Sequence, residues 1–151
     1  MVVCTHCYTP PITFFNRRHI VSIPMFKLLL VEDDAMLRNL VSRRLEREGY
    51  NVVTATNGAE AILRTRSEYP HLILLDMGLP LINGFQAATR IKAEVSNIPI
   101  IALTAFSIND RAACLAAGCD EYETKPIAFE RLLSKIASLL KQSSGKERVR
   151  S

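Results

Sequence analysis

Polar residues stand at the ends of four short segments of the chain, and their types point to phosphate and metal chemistry. These residues are Glu32-Asp33-Asp34, Asp76, Thr104 and Lys125. Clustered carboxylates repel one another, raise each other's pKa and attract a cation. A divalent metal with oxygen ligands meets that need, and Mg²⁺ suits a site with few carboxylates and several waters. The residue types therefore indicate a magnesium site with a hydroxyl and an ammonium beside it.

Each of these residues has an alternative, purely structural role when it is considered alone. Asp33 or Asp34 could cap the helix that follows the first segment, and a lysine before a proline, such as Lys125, is usually a solvated loop residue. Asp76 is harder to explain in this way, because an unpaired carboxylate beside a buried strand is costly. The set as a whole therefore favours a functional site.

The elements that must position these residues alternate between strand and helix five times. Most of the strand segments are apolar at consecutive positions, which is typical of parallel strands that are covered on both faces. The spacing of apolar residues between the strands predicts helices, as in the series Leu37, Leu40, Val41 and Leu45. The predicted strands are Lys27–Val31, Asn51–Ala55, Leu72–Leu75, Ile98–Leu103 and Glu121–Thr124.

Five such units predict an α/β fold, a three-layer, doubly wound (βα)5 parallel sheet. Gly49 and Gly118 stand where the first and fourth helices should end. In folds of this kind, function lies at the carboxyl ends of the strands, which is where the polar residues stand.

Four motifs, taken in order, resemble the receiver domain of the bacterial two-component response regulators, the family that includes the chemotaxis regulator. They are Leu-Leu-Val-Glu-Asp-Asp, Leu-Leu-Asp-Met-Gly-Leu-Pro with Gly84 eight residues after Asp76, Leu-Thr-Ala, and Tyr-Glu-Thr-Lys-Pro. The resemblance covers about residues 26–141. It implies a flavodoxin-like sheet with the strand order 2-1-3-4-5.

The resemblance also implies a role for each residue of the magnesium site. Asp76 would be the phosphoacceptor, whose carboxylate attacks the phosphorus of a phosphohistidine. Asp34 and Asp76 would bind Mg²⁺ directly, Asp33 would bind it through water, and the carbonyl of Gly78 would supply a further ligand. Gly78 departs from the family, which often carries a longer or polar side chain at that position.

The remaining implied roles concern the phosphoryl group and its consequences. Lys125 would pair with one phosphoryl oxygen, and Thr104 would donate a hydrogen bond to another. Tyr122 would be an aromatic switch that changes rotamer when Thr104 moves. These residue types agree with the chemistry, because phosphoryl transfer needs an in-line nucleophile and neutralisation of the charge on the equatorial oxygens.

We therefore expect a stand-alone response regulator that catalyses only its own phosphorylation and dephosphorylation. Its partners would be a sensor histidine kinase or a histidine phosphotransfer protein, and a downstream protein target. A homodimer through the face of helix 4, strand 5 and helix 5 is a further expectation. A degenerate receiver that acts only as a binding module stays open as an alternative. An aspartyl-phosphate hydrolase is disfavoured, because Gly78 stands where that chemistry requires a second aspartate.

Composition and charge argue against several other classes of protein. Hydrophobic residues make up 48% of the chain and charged residues 23%, which are ordinary globular values, and no apolar run is long enough to span a membrane. The net charge is +4, yet residues 25–141 balance 14 basic against 14 acidic residues. We therefore expect a cytoplasmic protein that binds neither nucleic acid nor membrane.

The two ends of the chain lack the pattern of its centre. Residues 1–25 are predicted to be a disordered N-terminal extension, residues 26–141 the receiver domain, and residues 142–151 a polar, disordered C-terminal tail. Cys4 and Cys7 have metal-like or redox-like spacing but lack further ligands at matching spacing, so we interpret them as incidental thiols. Cys114 and Cys119 are predicted to be small buried side chains.

Overall fold

The computed structural model describes residues 25–105 and 110–148. Five parallel strands form one sheet in the order 2-1-3-4-5, so the predicted fold and strand order are confirmed. The strands are β1 Lys27–Val31, β2 Asn51–Ala55, β3 Leu72–Asp76, β4 Ile100–Thr104 and β5 Glu121–Thr124. The helices are α1 Ala35–Arg47, α2 Gly58–Glu68, α3 Gly84–Glu94, α4 Asp110–Ala116 and α5 Phe129–Arg148.

Two apolar layers cover the two faces of the sheet. Side chains of α1 and α5 pack on one face, and side chains of α2, α3 and α4 pack on the other. Strand β1 shows the alternation, since Leu28 and Leu30 belong to the first layer, whereas Leu29 and Val31 belong to the second. Each fully buried aliphatic side chain contributes about 1.5–3 kcal/mol of transfer free energy. Burial on both faces explains why the central strands are apolar at consecutive positions.

Two strand boundaries differ from the prediction in a way that affects the site. Strand β3 extends by one residue to Asp76, and β4 begins at Ile100 and ends at Thr104. The later start of β4 has a physical cause, because Pro99 has no N–H to donate to a ladder, although its carbonyl accepts the N–H of Ile73 at 3.0 Å. Asp76 and Thr104 are therefore held inside the hydrogen-bonded sheet.

The fifth helix is longer than predicted and replaces the expected disordered tail over residues 142–148. The hydroxyls of Ser143 and Ser144 each donate to a carbonyl one turn earlier at 3.1 Å, those of Leu139 and Leu140. Such bonds allow serine to stay within a helix, which a composition argument overlooks. Residues 1–24 and 149–151, with Cys4 and Cys7, lie outside the described residues.

The local predictions at the helix ends and the central cysteines are confirmed. Gly49 and Gly118 follow α1 and α4 with φ of +95° and +98°, a conformation that favours glycine. Cys114 and Cys119 are both buried, and burial raises the pKa of Cys119 to about 12. No helix among the described residues is long and apolar enough to cross a membrane.

Candidate functional site

The carboxyl ends of the strands bring Asp76, Lys125 and Glu32 into contact. Asp76 is the last residue of β3 and is 5% exposed, and Glu32 directly follows β1 and is 2% exposed. The Nζ atom of Lys125 lies 3.3 Å from Oδ2 of Asp76 and 2.8 Å from Oε2 of Glu32. One ammonium is thus shared between two buried carboxylates.

Glu32 belongs to the acidic run that the sequence singles out, but no individual role in the site was predicted for it. Its Oε1 atom accepts the N–H of Asp34 at 3.2 Å, while its Oε2 atom accepts from Lys125. Burial raises the pKa of Glu32, and the charge of Asp76 raises it further, although the bond from Lys125 opposes both effects. Position alone could have identified this residue, because it is the first acidic residue after β1 and stands closest to the sheet.

Glu32, Asp33 and Asp76 together form a candidate metal centre. Each offers one carboxylate oxygen, and these three oxygens lie within 4.8 Å of one another. Among the described residues, the only cation that pairs with these carboxylates is Lys125. Arg38 also lies nearby, but its guanidinium donates to the carbonyls of Glu32 and Asp33. An all-oxygen set with excess negative charge fits Mg²⁺.

Asp34 lies outside this group, and its predicted role as a direct metal ligand stays a prediction. Its Oδ1 atom accepts the backbone N–H of Leu37 at 2.9 Å and thereby caps α1. The carboxylate satisfies a donor that the first turn of a helix leaves unpaired. The helix-capping role considered for Asp33 or Asp34 is therefore one that Asp34 has in the structure, whereas Glu32 is the residue that lies beside Asp33 and Asp76.

Gly78 orients the carboxylate of Asp76 through its backbone. Its N–H donates to Oδ1 of Asp76 at 2.9 Å, so the two oxygens of Asp76 have different partners, Gly78 and Lys125. A side chain at Gly78 would begin 3.6 Å from the same oxygen. The predicted role of the Gly78 carbonyl as a metal ligand stays a prediction.

Lys125 is placed by the end of β5 and kept charged by its neighbours. Its backbone N–H donates to the carbonyl of Thr104 at 2.7 Å and continues the ladder between β4 and β5. Burial works against the charge of Lys125, but the bond to Glu32 and the field of Asp76 outweigh it and raise the pKa of the ammonium. The site therefore keeps one fixed positive charge.

Thr104 and Tyr122 lie on the same face of neighbouring strands. Thr104 is 2% exposed and pairs in register with Thr124, whereas half-buried Tyr122 pairs with Ala102. Side chains two residues apart on a strand share a face. Thr104 therefore lies on the same face of the sheet as Ala102 and as Tyr122, the residue paired with Ala102. The placement is compatible with the predicted coupling between these two residues, which stays a prediction.

The family comparison agrees with this geometry. The family model described as response regulator receiver domain matches residues 28–137. A probable transcriptional regulator, ycf27 of Pyropia yezoensis, is 40% identical over 118 residues, which are 78% of this chain and 48% of that protein. The chain spans about half the length of the curated relatives it matches.

Two solved structures show the same fold. The response regulator TrrA of Thermotoga maritima, in complex with Mg(2+)-BeF, superposes with a TM-score of 0.71 at 35% identity, covering 76% of this chain and 99% of that one. The receiver domain of Ssk1 from Saccharomyces cerevisiae, in a co-crystal with the histidine phosphotransfer protein Ypd1, gives a TM-score of 0.70 at 30% identity, covering 75% and 87%.

Proposed function

The chain belongs to the response regulator receiver domain family of two-component systems, and on that premise we propose that Asp76 accepts a phosphoryl group from a phosphohistidine. The observation that carries the proposal is the buried carboxylate of Asp76, paired with Lys125 beside two further acidic side chains. The receiver domain would catalyse only its own phosphorylation and dephosphorylation.

In the proposed step, an oxygen of Asp76 forms a bond to phosphorus while the P–N bond of the phosphohistidine breaks. The electron pair of that bond returns to the imidazole nitrogen. The Gly78 N–H and the Lys125 ammonium hold the two oxygens of Asp76 separately, which fixes the direction of the nucleophile. Lys125 also supplies positive charge to the phosphoryl oxygens as they shift towards Asp76.

The residues that would hold Mg²⁺ are Glu32, Asp33 and Asp76, with the carbonyl of Gly78 as a further candidate. When bound, Mg²⁺ neutralises negative charge on phosphoryl oxygens. Three carboxylates lie together here, and the one ammonium pairs with only two of them, so the group retains negative charge that fits this ion. The TrrA relative was solved in complex with Mg(2+)-BeF, which supports Mg²⁺ as the ion for a site in this fold.

Exposed apolar side chains on α1 and in the loop after β3 support a protein as the phosphohistidine donor. Met36 and Leu40 on α1 are 83% and 58% exposed, and Leu81, in the loop after β3, is 95% exposed with φ of +65°. That φ is uncommon for a residue other than glycine, and exposed apolar groups that lie together mark contact surfaces. The Ypd1 co-crystal provides a precedent for such a partner.

The partner surface can be tested with two equally exposed leucines. Leu40→Asp should slow phosphoryl transfer from a histidine phosphotransfer protein but not from a small phosphodonor, because only the protein needs the α1 surface. Leu63→Asp on α2 is the matched control, since Leu63 is 60% exposed. Equal transfer rates in the two variants would contradict docking on α1.

The output of the phosphorylated protein would be a contact with a downstream protein, or onward transfer of the phosphoryl group, and no direct contact with nucleic acid is proposed. The contact surface would consist of α4, β5 and α5. The same face would serve a homodimer, which sedimentation with and without beryllofluoride would test. A monomer under both conditions, at concentrations well above those of the assay, would remove the dimer from the proposal.

The phosphoacceptor itself is tested by Asp76→Asn. The variant should fold and should lose labelling by a phosphodonor, because asparagine keeps the shape of the side chain but lacks the nucleophile. Labelling of the variant at another residue would refute the assignment. A wild-type protein that folds, binds Mg²⁺ and takes no label would favour the binding-module alternative.

A further inference from the structure

Tyr122 lies on the outermost strand of the sheet, and side chains bond both polar groups of its main chain. Strand β5 ends the order 2-1-3-4-5, so it has no strand on its other side. The N–H of Tyr122 donates to the Glu121 carboxylate at 3.1 Å, and its carbonyl accepts from Nζ of Lys135. An open edge can recruit another strand, so Glu121 and Lys135 close this part of the sheet.

Two cations from different helices also lie against the ring of Tyr122. Nζ of Lys135, on α5, lies 5.2 Å from the ring centroid, and Cζ of Arg111, on α4, lies 5.9 Å from it. Both distances are within the range of about 6 Å at which a cation is attracted to an aromatic ring. The half-buried ring is therefore contacted from both helices that flank the sheet edge.

Lys135 is itself held in place by Glu123, whose side chain is fully buried. Nζ of Lys135 lies 3.1 Å from Oε2 of Glu123, and Nε of Arg131 donates to both oxygens of that carboxylate at 2.9 and 3.0 Å. Burial opposes the charge of Glu123, but the bonds from Arg131 and Lys135 outweigh it and hold the pKa of Glu123 below its ordinary value. Glu123 is thus a fixed anion that orients Lys135.

We propose that Arg111 and Lys135 are positioning residues, a Tyr122 clamp, which hold the ring in its resting place and set how readily it moves when Asp76 is phosphorylated. The inference rests on the proposed function and adds the groups that oppose the switch. A ring that turns towards Thr104 leaves both cations. Loss of one cation should therefore raise the population of the displaced ring about 2- to 5-fold, and loss of both should multiply these factors.

The clamp is tested by fluorine NMR of the full chain labelled with fluorotyrosine, with Mg²⁺ and with or without beryllofluoride. The Tyr122 signal is identified by its absence from Tyr122→Phe, and the signals of bound beryllofluoride report occupancy in the same spectrum. The test variants are Lys135→Met and Arg111→Gln. Lys135→Arg retains a cation, and Lys141→Met is the matched control for loss of an exposed lysine from α5.

Without beryllofluoride, the Tyr122 signal of Lys135→Met and of Arg111→Gln should move part of the way towards the wild-type position with beryllofluoride. Lys135→Arg and Lys141→Met should stay near the resting wild type. Arg111 is exposed and forms no ion pair with Glu123 within residues 25–105 and 110–148. Its variant therefore tests the clamp even if Lys135→Met fails to fold.

Two results would overturn the clamp, and only the second would also overturn the proposed Tyr122 switch. If beryllofluoride moves the wild-type signal but both test variants coincide with the wild type, the clamp fails and the proposed switch stands. If beryllofluoride binds without moving the wild-type Tyr122 signal, there is no displaced position, and the switch and the clamp both fail.

Discussion

Glu32 and Glu123 are both almost fully buried glutamates, yet they differ in the cations that neutralise them. Glu32 shares the single ammonium of Lys125 with Asp76, and Asp33 adds a third carboxylate to the same group. Burial and the neighbouring charge of Asp76 raise the pKa of Glu32. This group retains excess negative charge, and a divalent cation would complete it.

Glu123 shows the opposite balance at the outer edge of the sheet. Both Arg131 and Lys135 bond to its carboxylate, and they hold its pKa below the ordinary value although burial acts in the other direction. Similar burial therefore has two outcomes, and the number of paired cations decides between them. A buried carboxylate with too few cations marks a binding site, whereas one with enough cations fixes the structure.

The largest expected effect comes from neutralising one carboxylate in each group without changing its shape. Glu123→Gln should lower the free energy of unfolding by about 1.5–3 kcal/mol, because hydrogen bonds to charged groups are worth that much. Asp76→Asn should leave the free energy of unfolding unchanged or raise it in metal-free buffer, because it relieves repulsion among carboxylates. Urea denaturation of both variants measures the difference, and equal losses would break the comparison.

The contribution of Glu123 should also depend on pH. Its pKa is lower in the folded protein than the ordinary value of 4.5, so its stabilising effect is complete above pH 4.5 and is lost as the pH falls through the folded-state pKa. The difference in unfolding free energy between wild type and Glu123→Gln should therefore shrink on acidification. A difference that grows below pH 4.5 would show that the carboxylate is not held as an anion.

A smaller effect is expected at Asp34, which distinguishes a capping residue from a metal ligand. Asp34→Ala should lower the free energy of unfolding by about 1 kcal/mol, because α1 loses its N-cap. Asp34→Asn should retain stability, since asparagine also caps helices well. An alanine variant as stable as the wild type would mean that the contact with Leu37 contributes nothing.

The sequence predicted the fold well because its signals are local and repeated. Consecutive apolar positions identified the strands, and Gly49 and Gly118 identified two helix ends. The register of the acidic run was harder, because three adjacent acidic residues differ only in the direction in which each side chain points. That direction is set by the end of β1 and the cap of α1, so the sequence did not show that Glu32 rather than Asp34 lies in one group with Asp33 and Asp76.

Contacts between distant segments account for the other differences. Leu40 fits the apolar spacing of α1, but the turn of that helix leaves it 58% exposed. Glu123 is the second acidic residue of β5, and the sequence does not show that its partners are Arg131 and Lys135 in the first two turns of the following helix. Such pairings become visible only when β5 and α5 are packed together.

Titration of Mg²⁺ into two neighbouring isosteric variants tests the site most directly. Asp33→Asn removes a carboxylate from the candidate metal centre, whereas Asp34→Asn removes one from the helix cap and serves as the matched control. We expect Asp33→Asn to weaken Mg²⁺ binding by about 10-fold or more and Asp34→Asn to bind Mg²⁺ like the wild type. Equal affinities in the two variants, or a larger loss in Asp34→Asn, would contradict the assignment of Glu32, Asp33 and Asp76 as the magnesium site.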